Sequence, residues 1–378
     1  MRCLVPGLVS SSALVVKDLP GFNGPLPFSL ETGYVEVDES NGVHIFYYFV
    51  QSENEPAKDP LLLWLQGGPG CSGLSGLVYE IGPFLFDVQG YEGGLPRLLY
   101  RPETWSKESN IIFVDSPVGA GFSYAISNEG LNSSDTIATE QLVIFHKKWI
   151  DEHPQFASNP LYIGGESYSG IMIPALTLEI DRLIRKESGD SPPFNLKGYI
   201  AGNPFTDKQF DMDGRIKFFY GMGLISDELY EVAKENCGGR YDAPANGQCS
   251  TSIESIQHET IGEWIRCNRA LPYEKDIPST LEHHLRLHRK GYAALIYSGD
   301  HDSACSFFGT RAWIRALNLS VTDDWRPWHV DGQVAGFTTS YSSNLTYATV
   351  KGAGHTAPEY KPKECLTMFA RWISGTPL

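Results

Sequence analysis

Six short apolar runs, each closed by a glycine-rich turn, constrain this chain more than any other feature. Pro60–Leu65 leads into Gly67-Gly68-Pro69-Gly70, and Asn110–Val114 into Asp115-Ser116-Pro117-Val118-Gly119. Leu161–Ile163 leads into Gly164-Gly165, and Leu196–Ala201 into Gly202-Asn203-Pro204. Tyr292–Tyr297 leads into Ser298-Gly299-Asp300, and Thr346–Val350 into Gly352-Ala353-Gly354. Continuous apolar runs bounded by turn residues suit strands buried on both faces, the mark of a mostly parallel sheet. Helical spacing separates them, over Asp135–Glu152, Leu176–Arg185 and Lys363–Ile373, and a helix-like segment starts near Ile171. Strand alternating with helix predicts a doubly wound α/β sheet, in which function gathers beyond the carboxyl ends of the strands. About 90 residues with Cys237, Cys249 and Cys267 interrupt the rhythm, and we read about 205–290 as a lid insertion. There is no internal repeat and no low-complexity linker.

Charge and cysteine content narrow the function classes. With 45 acidic and 30 basic side chains the net charge is −15, which argues against a nucleic-acid binder. No apolar run reaches the roughly 20 residues needed to cross a bilayer. Arg2 followed by the mostly apolar Leu4 to Val16 reads as a short secretory leader over 1–18, weakened by Pro6 and Ser10-Ser11-Ser12, with the folded domain over 19–378. Sequons at Asn132, Asn318 and Asn344 and seven cysteines favour the secretory route, ending in the vacuole or outside the cell. His284 and His288 stand four apart near the basic end of a predicted helix at Thr280–Lys290, with His283 beside them, but without an HExxH pattern. We expect them to be structural and predict no metal and no cofactor. Cys305 reads as a small buried hydrophobe.

Gly165-Glu166-Ser167-Tyr168-Ser169-Gly170 lies between an apolar strand and a helical segment. A serine on a sharp strand-to-helix turn projects its hydroxyl above the sheet, and the following N–H can serve an oxyanion hole. The usual glycine two residues after the nucleophile is replaced here by Ser169, with Gly170 next. Such a serine needs a base and an orienting carboxylate, which in α/β-hydrolases follow in the order Ser, Asp, His. Gly299-Asp300-His301-Asp302 and Gly352-Ala353-Gly354-His355 both follow strand ends in that order. Spacing does not choose between Asp300 and Asp302.

GESYSG, WLQGGPGCSGLSGLVYEIGPF, VDSPVGAGFSY, YSGDHD and KGAGHTAPEY together resemble the serine carboxypeptidase-like family, over nearly the whole chain after about residue 18. The resemblance implies an α/β-hydrolase fold with Ser167 as nucleophile, His355 as base and then acid, and Asp302 as orienting carboxylate. It places the N–H groups of Gly68 and Tyr168 in the oxyanion hole. It assigns Gln66, Gly67, Glu80 and Glu166 to the grip on a substrate carboxylate, the two glutamates sharing a proton. It pairs Cys71 with Cys267 and Cys237 with Cys249.

Two departures bear on function. Family peptidases carry asparagine where this chain has Gln66, and an extra methylene shifts an amide by about 1 Å, enough to lose much of a positioned contact. GMGLISDELYE and WHVDGQVAGF look most like the plant branch that includes acyltransferases, which pass an acyl group from a glucose ester to a small alcohol or amine. We therefore expect an acyltransferase, with hydrolysis of peptide C-termini as the alternative. The partners are then a small-molecule acyl donor and acceptor, or a peptide C-terminus. The chain also runs from Cys249 within a few residues into SIESIQHETIGEW, a shortened lid. A non-catalytic binding protein is the reading from another class.

Overall fold

The computed structural model describes residues 13–89, 91–186, 194–244, 246–260, 267–268 and 270–378, with backbone alone over 257–260. Residues 1–12 of the expected leader lie outside this range.

The strands that set the site are β1 (Leu14–Val16), β2 (Leu30–Asp38), β3 (Val43–Val50), β4 (Leu61–Leu65), β5 (Asn110–Val114), β6 (Pro160–Glu166), β7 (Asn195–Gly202), β8 (Ala293–Gly299), β9 (Val321–Val330), β10 (Gln333–Tyr341) and β11 (Leu345–Val350). They join one sheet in the order β1-β2-β3-β5-β4-β6-β7-β8-β11-β10-β9. The six predicted runs form its parallel centre, from β5 across to β11. Every residue of β4 and β5 is buried, as a strand covered on both faces requires. Antiparallel strands extend both edges, and Leu14–Val16, within the segment read as a leader, pairs with β2. The hairpin β9–β10 turns at Asp331 and Gly332, both at positive φ, the geometry that an Asp-Gly pair favours.

Helices α1 (Asp135–Glu152) and α2 (Ser169–Lys186) cover one face. On the other face, the C-terminal helix Pro362–Ile373 stacks Phe369 on Trp105 at 4.1 Å. Helix α2 begins earlier than the apolar pattern suggested and runs through Pro174. Pro174 has no N–H for the Gly170 carbonyl four residues back, and the Thr280 hydroxyl donates to that carbonyl at 3.2 Å.

Between β7 and β8 lie α3 (Lys208–Gly221), α4 (Asp227–Cys237) and α5 (Gly247–Thr260). These helices close on a small core of their own around Phe219, Ala233 and Ile253, crosslinked by Cys237–Cys249. Helix α6 (Leu281–Arg289), which the sequence reading put inside the lid, packs Leu287 into the main core instead. His284 accounts for part of that packing, with Tyr199 Oη at 2.7 Å from Nδ1 and its ring stacked on Trp313.

At the end of α1, His153 is buried with both ring nitrogens engaged. Nδ1 lies 2.8 Å from the Trp149 carbonyl and Nε2 2.9 Å from Glu31 Oε1. Both partners are acceptors, so the ring carries two protons and a positive charge. Burial pushes His153 down, but the hydrogen bonds and the Glu31 charge outweigh it and hold it above its ordinary value. Burial likewise pushes Glu31 up, and its bonds from His153 and Tyr47 bring it below its ordinary value. A raised histidine stabilises below its unfolded pKa and stops doing so as pH rises through the folded one. A lowered glutamate stabilises above its unfolded pKa and stops doing so as pH falls through the folded one. The pair therefore contributes fully between about pH 4.5 and 6.5. Melting temperature measured against pH should peak on the acidic side, and His153→Gln should flatten the decline above pH 6.5.

Candidate active site

The parallel register brings five strand ends to one level. Leu65 pairs with Gly165, Glu166 with Gly202, Gly202 with Tyr297, and Gly299 with Val350. Immediately beyond β6, Ser167 adopts φ 64°, a left-handed conformation unusual for any residue but glycine. The surroundings hold it there. Its N–H donates to the Gly202 carbonyl at 3.0 Å, and its own carbonyl accepts from Gly170 and Phe205, each at 2.9 Å. A side chain at Gly67 would meet Ser167 Cβ at 2.6 Å, and one at Gly170 would meet the Phe205 carbonyl at 2.5 Å. Ser169, standing where glycine is customary, is buried and donates to the Glu166 carbonyl at 2.6 Å.

Ser167 Oγ lies 2.8 Å from His355 Nε2, and His355 Nδ1 lies 2.8 Å from Asp302 Oδ2. Asp302 is 1 % exposed. Burial pushes its carboxyl up, but the His355 charge and bonds from His355, Asn203 and the Ala304 N–H hold it below the usual carboxylate range. An ionised Asp302 must accept, so Nδ1 carries the proton and Nε2 is free to accept from the serine. Asp300 turns away, taking the Gly352 N–H at 2.7 Å.

In the sequence, Asn203 reads only as part of the turn Gly202-Asn203-Pro204. It is fully buried at φ 43°, and its Nδ2 donates to Asp302 Oδ2 at 2.7 Å while its Oδ1 accepts from the Gly299 N–H at 3.3 Å. An asparagine directly after a strand end, level with the Ser167 turn, is the signal that could have marked it, since asparagine tolerates left-handed backbone and still offers an amide.

The Gly67-Gly68 loop presses on the elbow. A Cβ at Gly67 would lie 2.7 Å from the Tyr168 nitrogen, and Gly68 has φ 114°. Asp115 secures this loop, accepting from Ser72 Oγ and the Gly73 N–H, both at 2.7 Å, and from the Phe122 N–H at 2.8 Å. Cys71–Cys267 ties the loop to the returning end of the insertion.

Glu80, from the helical turn Gly76–Glu80, and Glu166 are each 1 % exposed. Glu80 Oε1 accepts from Gln66 Nε2, and Glu166 Oε1 from the Tyr297 hydroxyl, each at 2.7 Å. Tyr297 is pushed well above its ordinary value, by burial first and by both glutamates. A Cβ at residue 202 would meet the Tyr297 ring at 2.3 Å, so Gly202 makes room for this contact.

The remaining expected positions fall as follows. Asn132, Asn318 and Asn344 are all exposed. Cys305 is buried beside Asp302, and burial pushes its thiol well above the ordinary range. His288 Nδ1 lies 3.0 Å from the Ser343 carbonyl, and burial lowers His283, His284 and His288. Among the described residues, no helix is long and apolar enough to cross a membrane.

The model of the serine carboxypeptidase family matches residues 20–261 and 255–375. Serine carboxypeptidase-like 3 of Arabidopsis thaliana is 45 % identical over 417 residues, covering 97 % of this chain and 94 % of that protein. This chain belongs to the serine carboxypeptidase family. Serine carboxypeptidase-like 2 of the same plant is 44 % identical over 416 residues, with 97 % and 94 % covered. Both alignments exceed the 378 residues of the chain, so these relatives carry segments that it lacks, and the two family-model matches meet inside the insertion. A prohormone-processing carboxypeptidase of Saccharomyces cerevisiae superposes with TM-score 0.80 at 19 % identity, covering 96 % of this chain and 95 % of that one. The fold is therefore that of an α/β-hydrolase, and the chain is an enzyme of the serine carboxypeptidase-like type.

Removing the Asn203 amide leaves Asp302 without one charged hydrogen bond, worth roughly 1.5–3 kcal/mol. Asn203→Ala should lower unfolding stability by about that much in urea titrations. Asn203→Asp should cost more at neutral pH, because it sets a second carboxylate against Asp302.

Proposed function

We propose that the enzyme works through an acyl-serine and moves an acyl group from a glucose ester to a small alcohol or amine. The hydrogen-bonded series Ser167–His355–Asp302 is the observation that carries the acyl-serine. Ser167 Oγ attacks the ester carbonyl carbon, and its proton passes to His355 Nε2 as the C–O bond to Oγ forms. Collapse breaks the bond to the sugar oxygen, which leaves with that proton. The acceptor then attacks the acyl-serine, gives its proton to His355, and Oγ takes it back. The Gly68 and Tyr168 N–H groups receive the oxyanion in both steps. A released binding protein has no need of all three side chains in hydrogen-bond contact, which argues against the non-catalytic reading.

Glu80 and Glu166, both buried beside Tyr297, share a proton and with Gln66 and the Gly67 N–H face the leaving-group side. Two buried carboxyls cannot both ionise cheaply, so this arrangement works best in acid. Gln66 supports transfer over peptide hydrolysis: its amide is engaged by Glu80, one methylene beyond the asparagine of the family peptidases. The two disulfides and the exposed sequons support the secretory route, to the vacuole or outside the cell.

Purified protein should transfer from an acyl-glucose ester and cleave blocked dipeptides poorly. Gln66→Asn should raise dipeptide cleavage at least several-fold, since a regained hydrogen bond to a charged group is worth about tenfold or more. The same change should bring transfer nothing. Brisk dipeptide cleavage by the wild type at acidic pH, without transfer, would establish the peptidase instead.

A further inference from the structure

A cleft of about 310 Å³ opens on the Gly67-Gly68 loop and is lined by Gly68, Pro69, Asn268, Leu271, Tyr273 and Lys275. Gln66, Glu80 and Glu166 are absent from its walls, so it is distinct from the carboxyl pair. Among its described lining residues Lys275 is the one charged group. Its Nζ sits 4.9 Å from the centroid of the Tyr168 ring, on the residue directly after the nucleophile.

The backbone that carries Lys275 is clasped on both sides. Fully buried Asp135, at the start of α1, accepts from the Tyr273 hydroxyl at 2.8 Å and from the Ile277 N–H at 2.9 Å, as well as from the Tyr168 hydroxyl at 2.9 Å. In return, Asp276 accepts from the Ser134 hydroxyl at 3.0 Å and the Thr136 N–H at 3.1 Å. Tyr273 and Glu274 also pair with Ser133 and Ser134 as short parallel strands. Of the two acids that flank Lys275 in sequence, Asp276 is thus engaged on α1 and Glu274 is exposed on the short strand outside the cleft lining, while the exposed lysine lies over the Tyr168 ring. On a chain of net charge −15, this sets one basic side chain against the residue that follows Ser167.

We propose that this cleft receives the acyl group, and that Lys275 selects acyl groups ending in a carboxylate, such as the half-ester of a short dicarboxylic acid. The proposal rests on the acyl-serine reading for its catalytic meaning. A carboxylate at the far end of a four- or five-carbon acyl chain meets the ammonium as a charge-assisted hydrogen bond, while the apolar chain lies along Pro69, Leu271 and Tyr273.

Two measurements test it. The first is the ratio of kcat/KM for the p-nitrophenyl half-ester of glutaric acid to that for p-nitrophenyl pentanoate. An exposed charge contact predicts a ratio of up to about five in the wild type. Lys275→Met should bring it toward one, and Lys275→Glu below one. The second needs no catalysis: glutarate binding to Ser167→Ala protein by calorimetry, which Lys275→Met should weaken up to about fivefold. A wild-type ratio near one, or binding indifferent to residue 275, overturns the proposal. If the esters are not turned over at all but glutarate binding depends on Lys275, the acyl-serine reading fails and the anion subsite stands.

Discussion

The level ending of the parallel strands is the constraint from which the rest follows. Adjacent parallel strands must share a hydrogen-bonding register, so fixing Leu65 beside Gly165, Glu166 beside Gly202 and Gly299 beside Val350 fixes where every following loop begins. Ser167, Asn203, Asp302 and His355 each lie within a few residues of such an end. Their side chains meet because the sheet is buried on both faces and its register cannot slip. Strain at Ser167, roughly 1–3 kcal/mol for left-handed backbone, is borne by its bond to the Gly202 carbonyl, by bonds from Gly170 and Phe205, and by the space that Gly67 and Gly170 leave open.

A second layer of order comes from buried carboxylates that join loops to one another. Asp115 holds the glycine loop, Asp302 gathers His355 and Asn203, and Asp135 draws Tyr168 and the returning end of the insertion onto α1. Each accepts several donors, which is how a buried carboxylate is tolerated. The crosslink Cys71–Cys267 adds a covalent tie on the same side, between residues 196 apart. The insertion is thus anchored at its C-terminal root.

The parallel centre of the sheet was legible because doubly buried strands leave continuous apolar runs, and α1 matched its apolar pattern from Asp135 to Glu152. The edge strands were not read. β2 alternates between buried and half-buried residues and β9 is largely exposed, so neither leaves a continuous run, although Asp331-Gly332 was a hairpin signal. Helix α2 continues through Pro174, whose missing donor is compensated from Thr280 more than 100 residues away. At the site, the positions of Ser167, Asp302 and His355 came from motif order and family resemblance. Asn203 and Asp135 stayed hidden because each matters through side-chain partners distant in sequence.

The central claim is that the Ser167 hydroxyl is made reactive by His355. Intact-mass and peptide-mapping mass spectrometry of protein treated with a fluorophosphonate probe tests it most directly. The account predicts a single adduct on Ser167, absent from Ser167→Ala and slowed by orders of magnitude in His355→Ala, with both variants folded by circular dichroism. An unlabelled wild type, or equal labelling of His355→Ala, would contradict it.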